Sequence, residues 1–154
     1  MGIVYEARHR TLGRRVAIKV LHASDPTLPG AEIRAERFLR EGRAAASVQH
    51  SHVVDVFDFG VDEGVPFLVM ELVEGETLAQ RIARERRLSL PSLVELMLPV
   101  LSAVAELHAA NIVHRDLKPA NILLARERGG ECCPKVADFG VSRIDVERVL
   151  RGEA

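Results

Sequence analysis

A lysine inside an apolar, strand-like segment is the first residue that folding alone does not explain. Lys19 ends the motif Val-Ala-Ile-Lys at residues 16–19, and the two-residue period of a strand places it on one face with Ala17 and Leu21. A buried ammonium group is costly without an anion, so Lys19 in this position requires an anionic partner or ligand. The alternative is an edge lysine whose stem covers apolar surface while its ammonium stays in water.

Glu41 is the candidate counter-ion for this lysine. It shares a helical stripe with Phe38 and Ala45, at offsets of three and four residues. A carboxylate on that packing face could pair with Lys19. Taken alone, Glu41 is better explained as a solvated helix residue, because two other glutamates lie in the same helical segment.

The densest chemistry lies in the motif His-Arg-Asp-Leu-Lys-Pro-Ala-Asn at residues 114–121. Within six residues, Asp116 offers a proton acceptor, Lys118 a cation and Asn121 a metal-binding amide. This combination of residue types at this spacing is a strong signal that folding alone does not explain.

A second acid follows further along the chain. Asp138 comes directly after a short apolar strand and precedes Phe139 and Gly140. Turns of the Asp-x-Gly type are common, so this motif alone carries little weight. Its place 22 residues after Asp116 makes it informative.

Short strands and one helix are predicted for the part of the chain that must hold Lys19. In order, the segments are a strand at 2–8, a strand at 15–21, a helix at 31–48, a strand at 52–59, a turn at 60–64 and a strand at 66–72. The first two strands should form a hairpin. Four strands and a helix would make one compact lobe.

Helices are predicted for the part of the chain that must hold Asp116. A short amphipathic helix is expected at 78–86 and a long one at 91–110, where Pro99 should kink the helix or shift its start. The catalytic motif then falls in a loop, and a short strand at 135–137 leads to Asp138.

Composition narrows the function classes. The chain has 154 residues with 47% hydrophobic and 28% charged residues, typical of a globular domain. A net charge of −1 gives no reason to expect nucleic acid as a partner. Neither a secretory signal nor a membrane span is expected, and the adjacent cysteines Cys132 and Cys133 have no disulfide or zinc spacing, which favours the cytoplasm.

Taken together, the three motifs resemble the ATP-binding and catalytic core of a eukaryotic-type serine/threonine protein kinase, in particular its bacterial branch. The motifs at 16–19, 114–121 and 138–140 carry this resemblance, which covers residues 2 to about 142. It implies an α+β, two-lobed kinase-like fold, with a partial first lobe and hinge at 1–74 and a partial second lobe at 75–154.

The resemblance also implies how ATP and Mg²⁺ would be held. Lys19 would bind the α- and β-phosphates and pair with Glu41 in the active state. Asp138 would bind the magnesium ion that bridges the phosphates, and Asn121 a second ion.

For the reacting groups, the resemblance implies that Asp116 accepts the proton of a protein hydroxyl and aims that hydroxyl at the γ-phosphate. Lys118 would neutralise charge on this phosphate, and its position two residues after Asp116 is the serine/threonine pattern. Arg115 beside the acid suggests control by a phosphorylated activation segment.

Adenine would lie between the lobes, by the same resemblance. Its apolar contacts would be Val4, Ala17 and Leu123. Met70 would be the gatekeeper, and the backbone of Glu71 and Val73 would supply hinge hydrogen bonds. A packed column joining the lobes would consist of His114, Phe139, Ala45 and Val56.

Two departures from the family pattern lead us to expect a kinase domain that is incomplete at both ends. Gly2 resembles the last glycine of the glycine-rich phosphate loop, and no Ala-Pro-Glu motif follows Gly140. The helices that normally cover the long helix would then be missing, leaving Leu96, Leu101 and Val104 partly exposed.

Two alternatives to an active protein kinase stay open. One is a catalytically inactive fragment that binds nucleotide or a protein partner through the exposed helix. The other is a small-molecule phosphotransferase of kinase-like fold, against which the Lys-Pro pair at 118–119 argues.

Overall fold

A computed structural model describes residues 2–11, 13–21, 36, 38, 42–43, 45–126 and 132–138. Its strands and helices are, in chain order, β1 (Gly2–Arg8), β2 (Arg15–Leu21), β3 (Val56–Asp62), β4 (Val65–Glu71), β5 (Gly75–Thr77), α1 (Leu78–Glu85), α2 (Leu90–Ala109), a 3₁₀ turn (Pro119–Asn121), β6 (Ile122–Arg126) and β7 (Cys132–Val136). Residues 36, 38, 42, 43, 45 and 46 also have helical backbone.

The first sheet is antiparallel, with strand order β1-β2-β4-β3. The predicted hairpin of the first two strands is confirmed. In its register, Lys19 lies opposite Val4 on one side and Leu68 on the other, and Ala17 lies opposite Met70. Since directly opposed residues of antiparallel strands share a face, these side chains all belong to one face of the sheet.

The third strand begins four residues later than the sequence pattern predicts. Val53 and Val54 are buried, at 1% and 3% exposure. The backbone N–H of Val54 donates to the carbonyl of Val136 in β7 instead of to a strand of the first sheet. The predicted turn at 60–64 shrinks to Glu63 and Gly64, whose φ values of 47° and 80° match the tight turns that suit twisted hairpins.

Gly42 is explained by close packing. A Cβ atom at this position would lie 2.9 Å from Cδ1 of Leu68 and 3.4 Å from Cβ of Phe59. A helical residue can approach the sheet this closely only without a side chain, which outweighs the weak helix propensity of glycine.

A second sheet, with strand order β5-β6-β7, follows the first. The sequence analysis missed β5 and β6, and β7 is longer than the predicted strand at 135–137. At three and five residues, β5 and β6 are too short to show a period of two. This sheet supports two of the predicted motifs. The strand β6 follows Asn121, the last residue of the predicted catalytic loop, and β7 precedes Asp138.

The two helices have clear start signals. Thr77 caps α1 in a reciprocal capping box with Gln80, and Ser89 caps α2, which has a proline in its first turn. Pro99 lies inside α2, which begins at Leu90, so of the two expected effects, a kink or a shifted start, the proline does not shift the helix start.

One face of α2 packs into the core and another is exposed. Its buried residues are Leu96, Val100, Ala103 and Leu107. The expectation that Leu96 is partly exposed is therefore wrong, since the residue lies at 5% exposure, whereas Leu101 is 57% exposed. By length and hydropathy α2 could also cross a membrane, which the sequence analysis did not expect. Its four buried residues pack into the core.

Among the described residues, two apolar clusters form the core. Each contains residues from the part of the chain that forms the first sheet and residues from the part that forms the second sheet. Ala45, Val48 and Val53 pack with the buried face of α2 and with Val136. Ala137 packs in the other cluster with Ala17 and Met70. The lobes therefore share their apolar interior.

Candidate active site

Lys19 and Asp138 form the centre of the site. The Nζ atom of Lys19 lies 2.7 Å from Oδ1 of Asp138, and the two side chains are 8% and 35% exposed. Because β2 is an inner strand and Lys19 is buried, the edge-lysine interpretation is wrong. The anion that the sequence required is Asp138 in this structure, whereas the predicted partner Glu41 lies outside the described residues.

Asp138 has an unusual backbone. Its φ of 60° lies in the left-handed region, which is uncommon for residues other than glycine although aspartate tolerates it better than most. Phe139 and Gly140, the rest of the predicted magnesium motif, lie outside the described residues.

Asp116 is held by two side chains from its own loop. Lys118 Nζ lies 2.7 Å from its Oδ2 atom, and Asn121 Nδ2 donates to its backbone carbonyl at 2.8 Å and to Oδ2 at 3.2 Å. Asn121 is only 8% exposed, whereas the side chain of Asp116 is 30% exposed. The buried amide of Asn121 therefore orients the carboxylate of Asp116, which is itself partly exposed to solvent.

The structure assigns His114 a structural position. It is 4% exposed, its Nδ1 atom accepts from the backbone N–H of Asp116 at 3.3 Å, and its Nε2 atom lies 3.0 Å from the carbonyl oxygen of Ala137. With Nδ1 accepting, Nε2 must carry the proton and donate to Ala137. The imidazole therefore links the loop to the residue before Asp138.

Ala137 joins the two halves of the site, and the sequence analysis missed it. Its N–H donates to the carbonyl of Asn121 at 2.9 Å, and its own carbonyl accepts from His114. Both contacts use backbone atoms, so no side-chain signal could have identified this residue. They fix Asp138 relative to the loop that carries Asp116.

Most of the predicted adenine contacts meet in one apolar cluster. Ala17 and Met70 are buried there, and Val73 and Leu123 pack against them. Val4 does not join the cluster and is 53% exposed, although it lies opposite Lys19. Gly2 lies at the start of β1, opposite Leu21.

The predicted column between the lobes is described only in part. Ala45 is buried at 2% exposure, and Val56 packs against both core clusters. His114 is buried as expected of such a column, and Phe139 lies outside the described residues.

The side-chain oxygen atoms of Asp138 and Asn121 are of the type that suits a hard cation that also binds phosphate. Asn121 uses its amide nitrogen for Asp116, so its Oδ1 atom is the one that can face a metal ion. Within the described part of the chain, no three His, Cys, Asp or Glu residues form a metal cluster. One carboxylate and one amide fit Mg²⁺, which usually keeps waters and takes its other ligands from substrate phosphates.

This lobe arrangement and this site define a class of protein. The chain belongs to the protein kinase domain family, whose family profile matches residues 1–149.

The relatives are bacterial serine/threonine kinases. The chain is 40% identical over 150 residues to the probable serine/threonine-protein kinase pknA2 of Bifidobacterium longum, a match that covers 97% of this chain and 19% of that protein. It is 39% identical over 145 residues to the serine/threonine-protein kinase pkn3 of Myxococcus xanthus, covering 94% of this chain and 26% of the relative. The chain therefore spans about a fifth to a quarter of the length of these relatives.

Solved structures show the same fold. The kinase domain of PknI from Mycobacterium tuberculosis matches with a TM-score of 0.78 and 29% identity, over 93% of this chain and 56% of that one. A structure of Rad53 1-466 in complex with AMP-PNP matches with a TM-score of 0.74 and 28% identity, over 92% of this chain and 35% of that one. The predicted α+β, kinase-like and incomplete fold is thereby confirmed.

Proposed function

We propose that this chain forms the ATP-binding and catalytic part of a protein serine/threonine kinase, which transfers the γ-phosphoryl group of Mg-ATP to a protein hydroxyl. One observation carries the proposal: the 2.7 Å contact of Lys19 with Asp138, next to a loop in which Asp116 is oriented by Lys118 and Asn121. Cation, metal-binding acid and proton acceptor are the parts that phosphoryl transfer requires.

In this proposal ATP lies between the two sheets. Adenine contacts the cluster of Ala17, Met70 and Leu123 and hydrogen-bonds to the backbone of Glu71 and Val73. Lys19 binds the phosphates, with Glu41 as its partner in the active state. Mg²⁺, held by Asp138 and Asn121, neutralises phosphate charge when bound.

The transfer itself uses the catalytic loop. Asp116 accepts the proton of the serine or threonine hydroxyl, whose oxygen forms a bond to the γ-phosphorus. The bond from that phosphorus to the bridging oxygen breaks, and ADP leaves. Lys118 stabilises negative charge on the transferred group, since an ammonium beside the carboxylate can also reach a phosphate placed there.

The cytoplasm is the proposed location. ATP is the proposed co-substrate, and neither Cys132 nor Cys133 forms a disulfide bond, as expected in a reducing compartment.

The test is phosphoryl transfer from radiolabelled Mg-ATP to a generic acceptor protein such as myelin basic protein, followed by phosphoamino acid analysis. We expect label on serine and threonine in the wild-type protein and none with Asp116→Asn. Label on tyrosine, or equal labelling by the variant, would contradict the proposal.

A second function is favoured by the exposed residues of α2. Several of its large apolar side chains are more than a third exposed, namely Leu90, Leu93, Val94, Leu98 and Leu101. Such a row on one helix can bind a protein partner. A chain that binds Mg-ATP in a thermal melt yet transfers no phosphate would favour this role over catalysis.

A further inference from the structure

A largely buried ion pair connects the two sheets. Nζ of Lys135, in β7, lies 2.8 Å from Oε2 of Glu71, the last residue of β4. The side chains are only 15% and 22% exposed, so water competes weakly for this contact.

The Glu71 carboxylate also reaches a third segment. The backbone N–H of Asp55 points to the same Oε2 atom at 3.4 Å, and the N–H of Glu71 donates to the carbonyl of Asp55 at 2.9 Å. A single carboxylate thus joins the end of β4, the residue before β3 and the strand that leads to Asp138. A cavity of about 510 Å³ is lined in part by Lys135 and Asp55.

The two charged residues sit next to two different parts of the proposed nucleotide site. Glu71 follows Met70 at the apolar cluster, whereas Lys135 lies in β7 and precedes Asp138 by three residues. A change in the distance between their backbones would therefore change the distance between the adenine end and the metal end of the site.

We propose that Glu71 and Lys135 are positioning residues, whose ion pair sets the spacing between the adenine-binding end of β4 and the metal-binding Asp138. This inference rests on the proposed nucleotide site. It predicts that adenine and the magnesium-bound phosphates bind cooperatively because the pair holds both ends in register, and that neither side chain touches the nucleotide.

The experiment measures affinities of the whole chain for adenosine and for ATP with and without Mg²⁺. Glu71→Gln and Lys135→Met remove one charge each at similar volume, and the double variant completes a cycle. In each single variant we expect adenosine affinity within about twofold of wild type and a Mg²⁺-dependent gain in ATP affinity reduced at least about fivefold. The double variant should lose no more than either single variant, because both act through one contact.

Arg84→Met is the matched control, because Arg84 lies on α1, is 58% exposed and forms an ion pair with Glu76 of β5. It should leave the Mg²⁺-dependent gain unchanged. An unchanged gain in Glu71→Gln and Lys135→Met, or additive losses in the double variant, would overturn the positioning role. A parallel loss of adenosine affinity would also overturn it, because that result indicates general unfolding of the hinge.

A second readout separates this inference from the proposed function. Hydrogen exchange at the Ala137 amide, which bonds to Asn121, should be at least about tenfold faster in both single variants than in the wild type. In the double variant it should be no faster than in the single variants. If the wild type binds no nucleotide, the proposed function is wrong. Unchanged exchange at the Ala137 amide in the single variants would overturn the spacing role, whatever the result of the nucleotide measurement.

Discussion

Lys19 and Asp138 lie 119 positions apart in the sequence, and their charged atoms lie 2.7 Å apart in the structure. Nothing local brings them together. Lys19 depends on the pairing of β2 with its neighbours, whereas Asp138 depends on β7 and on the backbone bonds of Ala137. The site therefore exists only when both sheets and their junction have formed.

The first prediction concerns Lys19. Lys19→Met keeps an apolar stem and removes the ammonium, so phosphate charge would go unneutralised and phosphoryl transfer should fall at least roughly 100-fold. Radiolabel transfer measures this effect. Arg87→Met, on an exposed residue away from the site, is the control and should retain wild-type activity. Similar activity in both variants would remove Lys19 from the mechanism.

Asn121 is predicted to matter for both stability and activity. Asn121→Ala deletes the buried amide that donates to the backbone carbonyl and the carboxylate of Asp116, at a cost of about 1–3 kcal/mol in the free energy of unfolding. Urea titration measures the loss, and transfer activity should fall as the Asp116 carboxylate loses its orientation. Gln49→Ala removes an exposed amide and should change neither quantity.

Two leucines of α2 provide a matched test of the core. Leu107 is 1% exposed and Leu98 is 61% exposed. Leu107→Ala should lower the free energy of unfolding by about 2–5 kcal/mol, because it leaves a cavity. Leu98→Ala should change it by less than about 0.5 kcal/mol. Equal losses in the two variants would mean that the exposed face of α2 is covered in solution.

Acid should weaken the junction of β5 with α1. A hydrogen bond from Arg84, and a weaker one from Arg81, lower the pKa of the Glu76 carboxyl below its ordinary value of 4.5. A lowered folded-state pKa means that the ionised carboxylate stabilises the fold above pH 4.5, and that this contribution is lost as the pH falls through the lowered value. Salt should reduce this contribution, because its main partner Arg84 is exposed.

Unfolding of wild type and Glu76→Gln in urea, from about pH 7 to pH 3, measures this contribution. The difference in unfolding free energy should be constant near neutral pH and shrink toward zero in acid. A difference that is independent of pH would show that the Glu76 charge makes no contribution.

Much of the fold could be predicted from local patterns. The β1–β2 hairpin has β-branched strands around a turn glycine, and α2 has Ser89 and a proline at its start, so both are specified within a few residues. The predicted start of the third strand was four residues too early because Val53 and Val54 are typical strand residues. In the structure they pack in the core and connect the first sheet to the second. Their roles depend on Val136, which lies far away in sequence.

The candidate site was likewise predictable only where local patterns specify it. Lys19, Asp116, Asn121 and Asp138 were selected from residue type and spacing, and the structure brings them into two contacting groups. The partner of Lys19 was not predictable, because its identity depends on how β2 and β7 meet. Ala137 carried no signal at all, since it acts through backbone atoms.

Val136 has a consequence for how the chain denatures. Its N–H donates to the carbonyl of His52 and its carbonyl accepts from Val54, so one residue of the second sheet ties down the segment that enters the first. With the apolar interior shared as well, neither lobe can melt while the other survives. A calorimeter should record a single transition whose van't Hoff and calorimetric enthalpies agree.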